Sequence, residues 1–244
     1  MLVIDGLRKS FYDPGRGPVT AVDRIGLEAR PGGVIALAGA NGAGKTTLLR
    51  LIATLLEADA GRILVDGIDA AADPLAVRRR IGFLSQSTRL YPRLSGREML
   101  GYAAGFFGLH GEALEQAIAR ISERLELGEF LDQRCARLST GQAQRINIAR
   151  TLITDPPLLI LDEPTTGLDL AAARQVIDLI HRARSDGRLI ILSTHIVTEI
   201  EELADRLLIM DHGRLVFDDR PAVLGHGEAL ARAICSRLRL EGSP

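Results

Sequence analysis

A glycine-rich segment at residues 39–46 has the spacing of a phosphate-binding loop. It reads GANGAGKT, which matches the pattern G-x-x-x-x-G-K-[ST]. Glycines allow such a loop to curl so that backbone N–H groups converge on phosphate oxygens. In this pattern Lys45 places its charge on the β- and γ-phosphates, and the Thr46 hydroxyl binds Mg²⁺. Of the 30 basic residues only Lys9 and Lys45 are lysines, and a flexible ammonium reaches where a planar guanidinium does not fit.

An acidic pair, Asp162 and Glu163, directly follows the apolar run at residues 158–161. A strand that ends in carboxylates delivers them to the carboxyl edge of a sheet, where ligands bind in open α/β folds. Asp162 would hold Mg²⁺, directly or through water. Glu163 would act as a general base that accepts a proton from the attacking water. Without the phosphate-binding loop, the same pair would equally fit a solvated turn.

Two further side chains are candidates only in combination with the loop and the acidic pair. His195 follows the apolar run at residues 189–192 and would contact the γ-phosphate, although an isolated histidine is more often structural. Gln86 would reach Mg²⁺ or the attacking water, although a single glutamine is ordinary. Both residues are therefore predicted to assist catalysis alongside Glu163 and Lys45.

These side chains require a parallel sheet to bring them together. Continuous apolar runs at 34–37, 158–161 and 189–192 predict strands that are buried on both faces. A helical pattern from about residue 171 to 184 separates the last two runs. A strand–helix–strand unit of this kind predicts an α/β fold.

Other parts of the chain have different patterns. Residues 2–4, 21–22 and 27 lie among polar and turn residues, which predicts a half-exposed antiparallel sheet. The segment from about 87 to 137 predicts an inserted helical lobe, in which residues 112–127 place four apolar side chains on one face: Leu114, Ile118, Ile121 and Leu125. The tail from residue 221 predicts a packing helix with three apolar positions: Leu230, Ile234 and Leu238.

Composition excludes several classes of protein. The 244 residues carry 30 basic and 31 acidic side chains, a net charge of -1, whereas a dedicated nucleic-acid binder usually has a basic excess. The longest apolar runs fall far short of the ~20 residues that span a bilayer, and the N-terminus does not resemble a signal peptide. Cys135 and Cys235 suggest neither a disulfide framework nor a zinc site. We therefore expect a soluble, cytoplasmic protein that does not bind nucleic acid.

At residues 138–142 the sequence LSTGQ resembles the signature of the ATP-binding cassette (ABC) family. The order of the other elements agrees: the loop at 39–46, Gln86, the acidic pair, Asp169 and His195. The resemblance covers roughly residues 2–217. It implies a P-loop NTPase core with a mostly parallel sheet, an N-terminal antiparallel β subdomain and an inserted helical subdomain. The implied division is a core at 1–86 and 141–217, a helical lobe at 87–140 that carries the signature, and a C-terminal tail at 218–244.

The resemblance also implies ATP and Mg²⁺ as ligands and a head-to-tail dimer. Ser139 and Gly141 would bind the γ-phosphate held by the second copy, and Asp169 would couple the two sites. Phe11, or alternatively Tyr12, would stack on adenine. The implied nucleotide-binding residues are Phe11, Gly39, Ala40, Asn41, Gly42, Ala43, Gly44, Lys45, Thr46, Thr47, Ser139, Gly141, Gln142 and Asp169, and the metal-binding residues are Thr46, Gln86 and Asp162.

Two positions depart from the common family pattern. Thr140 replaces the usual glycine at the third position of the signature, and Ala40 replaces a proline that is common in the loop. Thr140 would crowd the phosphate slightly, whereas Ala40 should matter little. Since the acidic pair, the glutamine and the histidine are present, the resemblance implies an intact ATPase.

A finer resemblance is to ATPases of sodium or multidrug exporters, through residues 52–56, 91–94 and 148–151. It implies that a separate transmembrane permease is the partner, that the chain lies on the cytoplasmic face of the cell membrane, and that the permease docks around residues 86–107. Most apolar residues of this segment, which includes Leu90, Tyr91, Phe106 and Phe107, are expected in the core of the helical lobe, with two or three exposed for docking. The alternatives are a non-transport ABC ATPase acting on ribosomes or DNA, and a small-molecule kinase, which would not need the signature.

Overall fold

Two β-sheets form the framework of the protein, in a computed structural model that describes residues 1–15, 17–85 and 88–239. The strands are β1 (Leu2–Asp13), β2 (Gly17–Ala29), β3 (Val34–Gly39), β4 (Ala60–Val65), β5 (Ile68–Asp69), β6 (Ile81–Leu84), β7 (Leu158–Asp162), β8 (Leu189–Ser193), β9 (Arg206–Asp211) and β10 (Arg214–Asp219). The helices are α1 (Lys45–Ile52), α2 (Pro74–Arg78), α3 (Gly96–Gly105), α4 (Gly111–Arg124), α5 (Thr140–Leu152), α6 (Leu170–Ser185), α7 (Val197–Leu203) and α8 (Glu228–Arg239), with short 3₁₀ turns at Cys135–Arg137 and Pro221–Leu224.

The six-stranded sheet has the order β10-β9-β3-β8-β7-β6 and is parallel except for β10 at its edge. Every residue of β7 and β8 is buried, as are the first five of β3. This confirms the prediction of strands buried on both faces. Because β8 lies between β3 and β7, three strands that lead into predicted site residues are direct neighbours. Their carboxyl ends meet at one edge of the sheet.

The N-terminal sheet has the order β2-β1-β4-β5 and is antiparallel, as predicted. Along β1, Leu2, Ile4 and Leu7 are buried while Asp5 is exposed, which is the alternation of a half-exposed sheet. The buried face shares a core with α1, through Leu48 and other residues, and with one face of the six-stranded sheet. This packing holds the phosphate-binding loop between the two sheets.

The helices α3, α4 and α5 pack with α6 on the other face of the six-stranded sheet. In α4 the predicted apolar face is confirmed, since Ile118 and Ile121 are buried and Leu114 packs against the same core. The helix ends at Arg124, three residues before the predicted limit. It ends there because Glu126 adopts a positive φ of 52° and the Leu127 N–H donates to the Ser122 carbonyl at 2.9 Å.

The tail helix α8 packs against strands β9 and β3 of the six-stranded sheet. This confirms the prediction of a packing helix in the tail. Leu230 and Ile234 are buried in a small core, and Leu238 packs against it. The Arg237 guanidinium also lies 5.1 Å from the centre of the Phe217 ring. Across the described residues, the helices are too short or too polar to cross a membrane. The division of the chain into a core, a lobe and a tail stays a prediction; its limit between residues 140 and 141 falls in the first turn of α5.

Candidate active site

The loop between β3 and α1 is shaped by glycines that no other residue could replace without strain. Gly44 has a φ of 105°, and a Cβ atom there would lie 2.0 Å from the Ala21 carbonyl oxygen. Gly39 has a φ of 154°, and its Cβ would lie 2.3 Å from the Met210 carbonyl oxygen. No side chain of the described residues caps α1 at Gly44, so the first N–H groups of the helix can bind an anion.

Lys45 is buried, and its ammonium donates hydrogen bonds to the carbonyl oxygens of Gly39 at 2.7 Å and Ala40 at 3.0 Å. Burial lowers the pKa of Lys45, whereas the nearby charges of Glu163 and Asp162 act to raise it. The ammonium is therefore held at the loop by weak, neutral acceptors. A phosphate group, which is a stronger and charged acceptor, could replace them.

Thr46 and Asp162 meet at the end of β7, although 116 positions separate them in the chain. The Thr46 hydroxyl donates to Asp162 Oδ2 at 3.0 Å, and the Ser193 hydroxyl donates to Asp162 Oδ1 at 2.6 Å. Asp162 is only 4% exposed. A hydroxyl and a buried carboxylate are oxygen ligands of the kind that Mg²⁺ prefers, with phosphates and water completing its shell. Among the described residues no group of three or more His, Cys, Asp or Glu side chains forms a metal cage.

Glu163 has a strained backbone at the point where β7 ends. Its φ of 51° is unusual for a residue with a side chain, and its N–H donates to the Ser193 hydroxyl at 3.0 Å. The carboxylate is fixed from both sides: Oε2 accepts from the Thr166 hydroxyl at 3.0 Å, and Oε1 lies 3.6 Å from His195 Nδ1. The structure thus brings Glu163 and His195 together, beside Asp162 and the loop.

Ser139 is the N-cap of α5, and its side chain is exposed. Its Oγ accepts from the Gln142 N–H at 3.2 Å, while Gln142 Oε1 accepts from the Ser139 N–H at 2.9 Å. This is a capping box, so both residues have a structural role beside the predicted nucleotide contact. The Ser139 hydroxyl can still donate its own hydrogen to a phosphate.

Gly141 and Asp169 both lie next to Ala172 in the first turn of α6. A Cβ atom on Gly141 would come 3.0 Å from Ala172 Cβ, and Asp169 caps α6 by accepting from the Ala172 N–H at 2.8 Å. The predicted residues therefore fall into two groups. One contains the loop, Asp162, Glu163 and His195, and the other contains the signature and Asp169.

The remaining predicted residues are at or beyond the edge of these groups. Phe11 is 41% exposed in β1, with the Lys9 ammonium 5.7 Å from its ring centre, and Tyr12 is 78% exposed. Either ring is open to a ligand, so the choice between them stays a prediction. Gln86 lies outside the described residues.

Several polar side chains support the site without belonging to any of the motifs predicted from the sequence. Ser193 binds both Asp162 and the Glu163 N–H, and Thr166 binds the Glu163 carboxylate. Gln144 of α5 donates to the Pro164 carbonyl oxygen at 2.5 Å and so links the signature helix to the loop after Glu163. The hydroxyl of Ser193, at the end of an apolar run and two residues before His195, was the available signal in the sequence.

Comparisons with known proteins identify the family. The family described as ABC transporter matches residues 22–166. The chain is 35% identical over 218 residues to the ABC transporter ATP-binding protein NatA of Bacillus subtilis. The aligned region covers 89% of this chain and 88% of NatA. It is 34% identical over 225 residues to the doxorubicin resistance ATP-binding protein DrrA of Mycobacterium tuberculosis. That aligned region covers 92% of this chain and 67% of DrrA.

Solved structures agree. An ATP-binding subunit of an ABC transporter matches with a TM-score of 0.84 and 26% identity, over 96% of this chain and 99% of that one. A dimeric ATP-binding cassette in a post-hydrolysis state with ADP and Pi matches with a TM-score of 0.80 and 25% identity, over 90% of this chain and 98% of that one. The resemblance predicted from the signature is confirmed. The chain belongs to the ABC transporter family and is one of its ATP-binding ATPase subunits.

Proposed function

We propose that this ATPase drives an exporter by hydrolysing ATP in a dimer that is docked on a separate membrane-embedded permease. The observation that carries the proposal is the grouping of Thr46, Asp162, Glu163 and His195 at one edge of the sheet, beside the phosphate-binding loop. The names of NatA and DrrA, an ABC transporter protein and a drug-resistance protein, support the assignment to transport. The chain would then lie at the cytoplasmic face of the membrane.

ATP binding would begin at the loop. Backbone N–H groups at the start of α1 bind phosphate oxygens, and Lys45 exchanges its bonds to the Gly39 and Ala40 carbonyls for bonds to the β- and γ-phosphates. Thr46 and Asp162 hold Mg²⁺, which neutralises charge on those phosphates when it is bound. Phe11 or Tyr12 stacks on the adenine ring.

Hydrolysis would depend on Glu163. Its Oε1 accepts a proton from the attacking water, while Thr166 holds Oε2 and Ser193 holds the backbone. His195, 3.6 Å from Oε1, donates to the γ-phosphate. The water oxygen bonds to the γ-phosphorus as the bond between that phosphorus and the ADP oxygen breaks, so the products are ADP and phosphate. Gln86 would act on the same water or on Mg²⁺.

A second copy of the chain would complete each site. Ser139 and Gly141 belong to a different group of contacts from the loop, and Ser139 is exposed. The solved cassettes that match this chain include dimeric ones. We therefore infer that the signature of one copy binds the γ-phosphate held by the other, with Asp169 at the junction between them.

The permease would dock in an aromatic groove next to β6. The aromatic groove is lined by Tyr91, Tyr102, Phe106 and Phe107, is about 410 Å³ in volume and lies beside Arg89 and Arg150. Tyr91 is 52% exposed and Phe106 is 72% exposed. Phe107 is exposed as well, whereas Leu90 packs against the core. A cytoplasmic helix of the permease that carries an apolar face fits such a surface.

Arg89 and Arg150 give the aromatic groove a charge preference. Within the described ranges, neither arginine has a hydrogen-bond or ion-pair partner, and burial lowers the pKa of Arg150. A carboxylate on the docked helix would satisfy Arg150, because a partly buried cation is stabilised by an opposite charge. The occupant is thus expected to be an amphipathic helix with an acidic residue.

Purification of the tagged chain from detergent-solubilised membranes tests this proposal. The wild-type chain should retain one polytopic membrane protein, and Phe106→Ser should lose it while keeping ATP binding. Val223→Ser, which changes a 61% exposed apolar residue elsewhere, is the matched control and should behave as wild type. Equal recovery with Phe106→Ser, or recovery of no polytopic protein by the wild type, would contradict the proposal.

A further inference from the structure

Glu199 is a buried carboxylate to which the mechanism above assigns no task. It lies in the first turn of α7 and is only 3% exposed. In the described part of the chain, no Lys, Arg or His side chain pairs with it. Burial of a charge without a cation costs free energy unless hydrogen bonds replace the lost water. The partners of Glu199 therefore indicate why the charge is kept.

Two threonine hydroxyls replace that water. The Thr165 hydroxyl donates to Glu199 Oε1 at 2.5 Å, and the Thr194 hydroxyl donates to Oε2 at 2.6 Å. Both threonines are themselves buried. Such short O–H···O⁻ bonds are the strong, charge-assisted kind. The two oxygens of one carboxylate thus connect two separate segments of the chain.

Each of those segments carries a residue of the reaction. Thr165 is two residues after Glu163, in the loop that leads to Asp169, and its neighbour Thr166 holds the Glu163 carboxylate. Thr194 directly precedes His195, and its Oγ1 also accepts from the Ile196 N–H at 3.1 Å. Glu199 is therefore hydrogen-bonded both to the segment that follows Glu163 and to the residue that precedes His195.

We propose that Glu199 is a positioning residue that holds the Glu163 loop and the His195 loop at the spacing that hydrolysis requires. This inference rests on the proposed function, in which Glu163 is the general base. Among the described residues, Glu199 forms no hydrogen bond or ion pair with Glu163 or His195, so it acts through Thr165 and Thr194. A displacement of about 1 Å in such a pair can cost on the order of 100-fold in rate.

Steady-state kinetics of the 244-residue chain test the proposal. Glu199→Ala is expected to lower kcat by roughly 10- to 100-fold, while the affinity for a fluorescent ATP analogue stays close to that of wild type. Glu202→Ala is the matched control, because Glu202 lies on the same helix and its partners, Arg174 and His181, are outside the site. Wild-type kcat in Glu199→Ala, or an equal loss in Glu202→Ala, would overturn the proposal.

A pair of threonine variants covers the possibility that Glu199→Ala does not fold. Thr165→Val keeps the shape of the side chain but removes the hydroxyl that reaches Glu199, whereas Thr165→Ser keeps the hydroxyl. The expected result is a lowered kcat for the valine variant and recovery for the serine variant. Equal rates for the two variants would show that the hydrogen bond to Glu199 does not position the site.

Combination with Glu163→Gln separates this inference from the proposed function. In the Glu163→Gln background, Glu199→Ala should cost a clearly smaller factor in rate, because the base that it positions is already absent. The same factor in both backgrounds would mean that Glu199 acts independently of Glu163. If Glu163→Gln alone hydrolyses at the wild-type rate, the assignment of the base fails. If Glu163→Gln is slow while the Glu199 variants hydrolyse ATP at the wild-type rate, only the positioning role of Glu199 fails.

Discussion

The Lys45 ammonium donates a 2.7 Å hydrogen bond to the carbonyl oxygen of Gly39, six residues earlier in the same loop. This bond and a second one to Ala40 hold the charge at the loop, and within the described ranges no acidic side chain forms a hydrogen bond with the ammonium. Gly39 and Gly44 let the chain fold back on itself. A Cβ atom at Gly39 would clash with the Met210 carbonyl oxygen, and one at Gly44 would clash with the Ala21 carbonyl oxygen. Loop shape and lysine position thus depend on one another.

Lys45→Ala should weaken ATP binding and abolish measurable hydrolysis without unfolding the protein, because it removes the cation that binds the β- and γ-phosphates. Nucleotide titration, ATPase assays and thermal melting of the purified variant check this. Arg62→Ala is a suitable control, because it also removes a positive charge and Arg62 pairs with Asp69 on the N-terminal sheet. Wild-type turnover in Lys45→Ala would exclude the assigned role.

Asp162→Asn should raise the Mg²⁺ concentration needed for half-maximal hydrolysis, because the change removes the charge of a buried oxygen ligand that faces Thr46. A chelator should abolish hydrolysis by the wild type, and added Mg²⁺ should restore it. The measurement is ATPase rate against free Mg²⁺ concentration. An unchanged Mg²⁺ dependence in Asp162→Asn would show that the carboxylate is not a ligand.

Glu163→Gln should bind ATP but hydrolyse it roughly 10²- to 10⁴-fold more slowly, the usual contribution of a general base. The change keeps the shape of the side chain and removes negative charge beside the γ-phosphate, so the ATP-bound dimer should persist. Size exclusion should show a dimer with MgATP and a monomer without it. A variant that stays monomeric at saturating MgATP would contradict the role of Glu163.

The predicted dimer can be tested with subunits that carry different changes. Lys45→Ala and Ser139→Ala in the same subunit, paired with a wild-type partner, should give a nearly inactive dimer, because each composite site then lacks one half. Splitting the two changes between the subunits should leave one site intact and preserve activity. Independent sites within each subunit predict the opposite pair of results, so the assay decides between the arrangements.

Ile118→Ala should destabilise the helical lobe by about 2–5 kcal/mol, the usual cost of removing buried methyl groups from a core, since Ile118 is only 2% exposed. Leu75→Ala, at a position that is 65% exposed, should change stability by no more than about 0.5 kcal/mol. Urea unfolding of both variants gives the comparison. A loss below about 1 kcal/mol in Ile118→Ala would show that α4 adds little to the core.

The sequence alone was sufficient to predict the parts of the site that depend on local spacing. The phosphate-binding loop, its strand β3 and its helix α1 are contiguous, so glycine positions and apolar runs specify them together. The strand that carries Asp162 and the strand before His195 were predicted for the same reason, because both are short apolar runs that a parallel sheet buries. The signature motif then identified the family.

Only the tertiary structure decided which strands are neighbours and which polar groups meet. The insertion of β8 between β3 and β7 brings Ser193 to Asp162 across 31 positions. The hydrogen bond from Thr165 to Glu199 spans 34 positions. Periodicity predicts a buried face but not the partner of a side chain, because that partner comes from another element. The glutamate that connects the two catalytic loops could therefore be found only once the chain was folded.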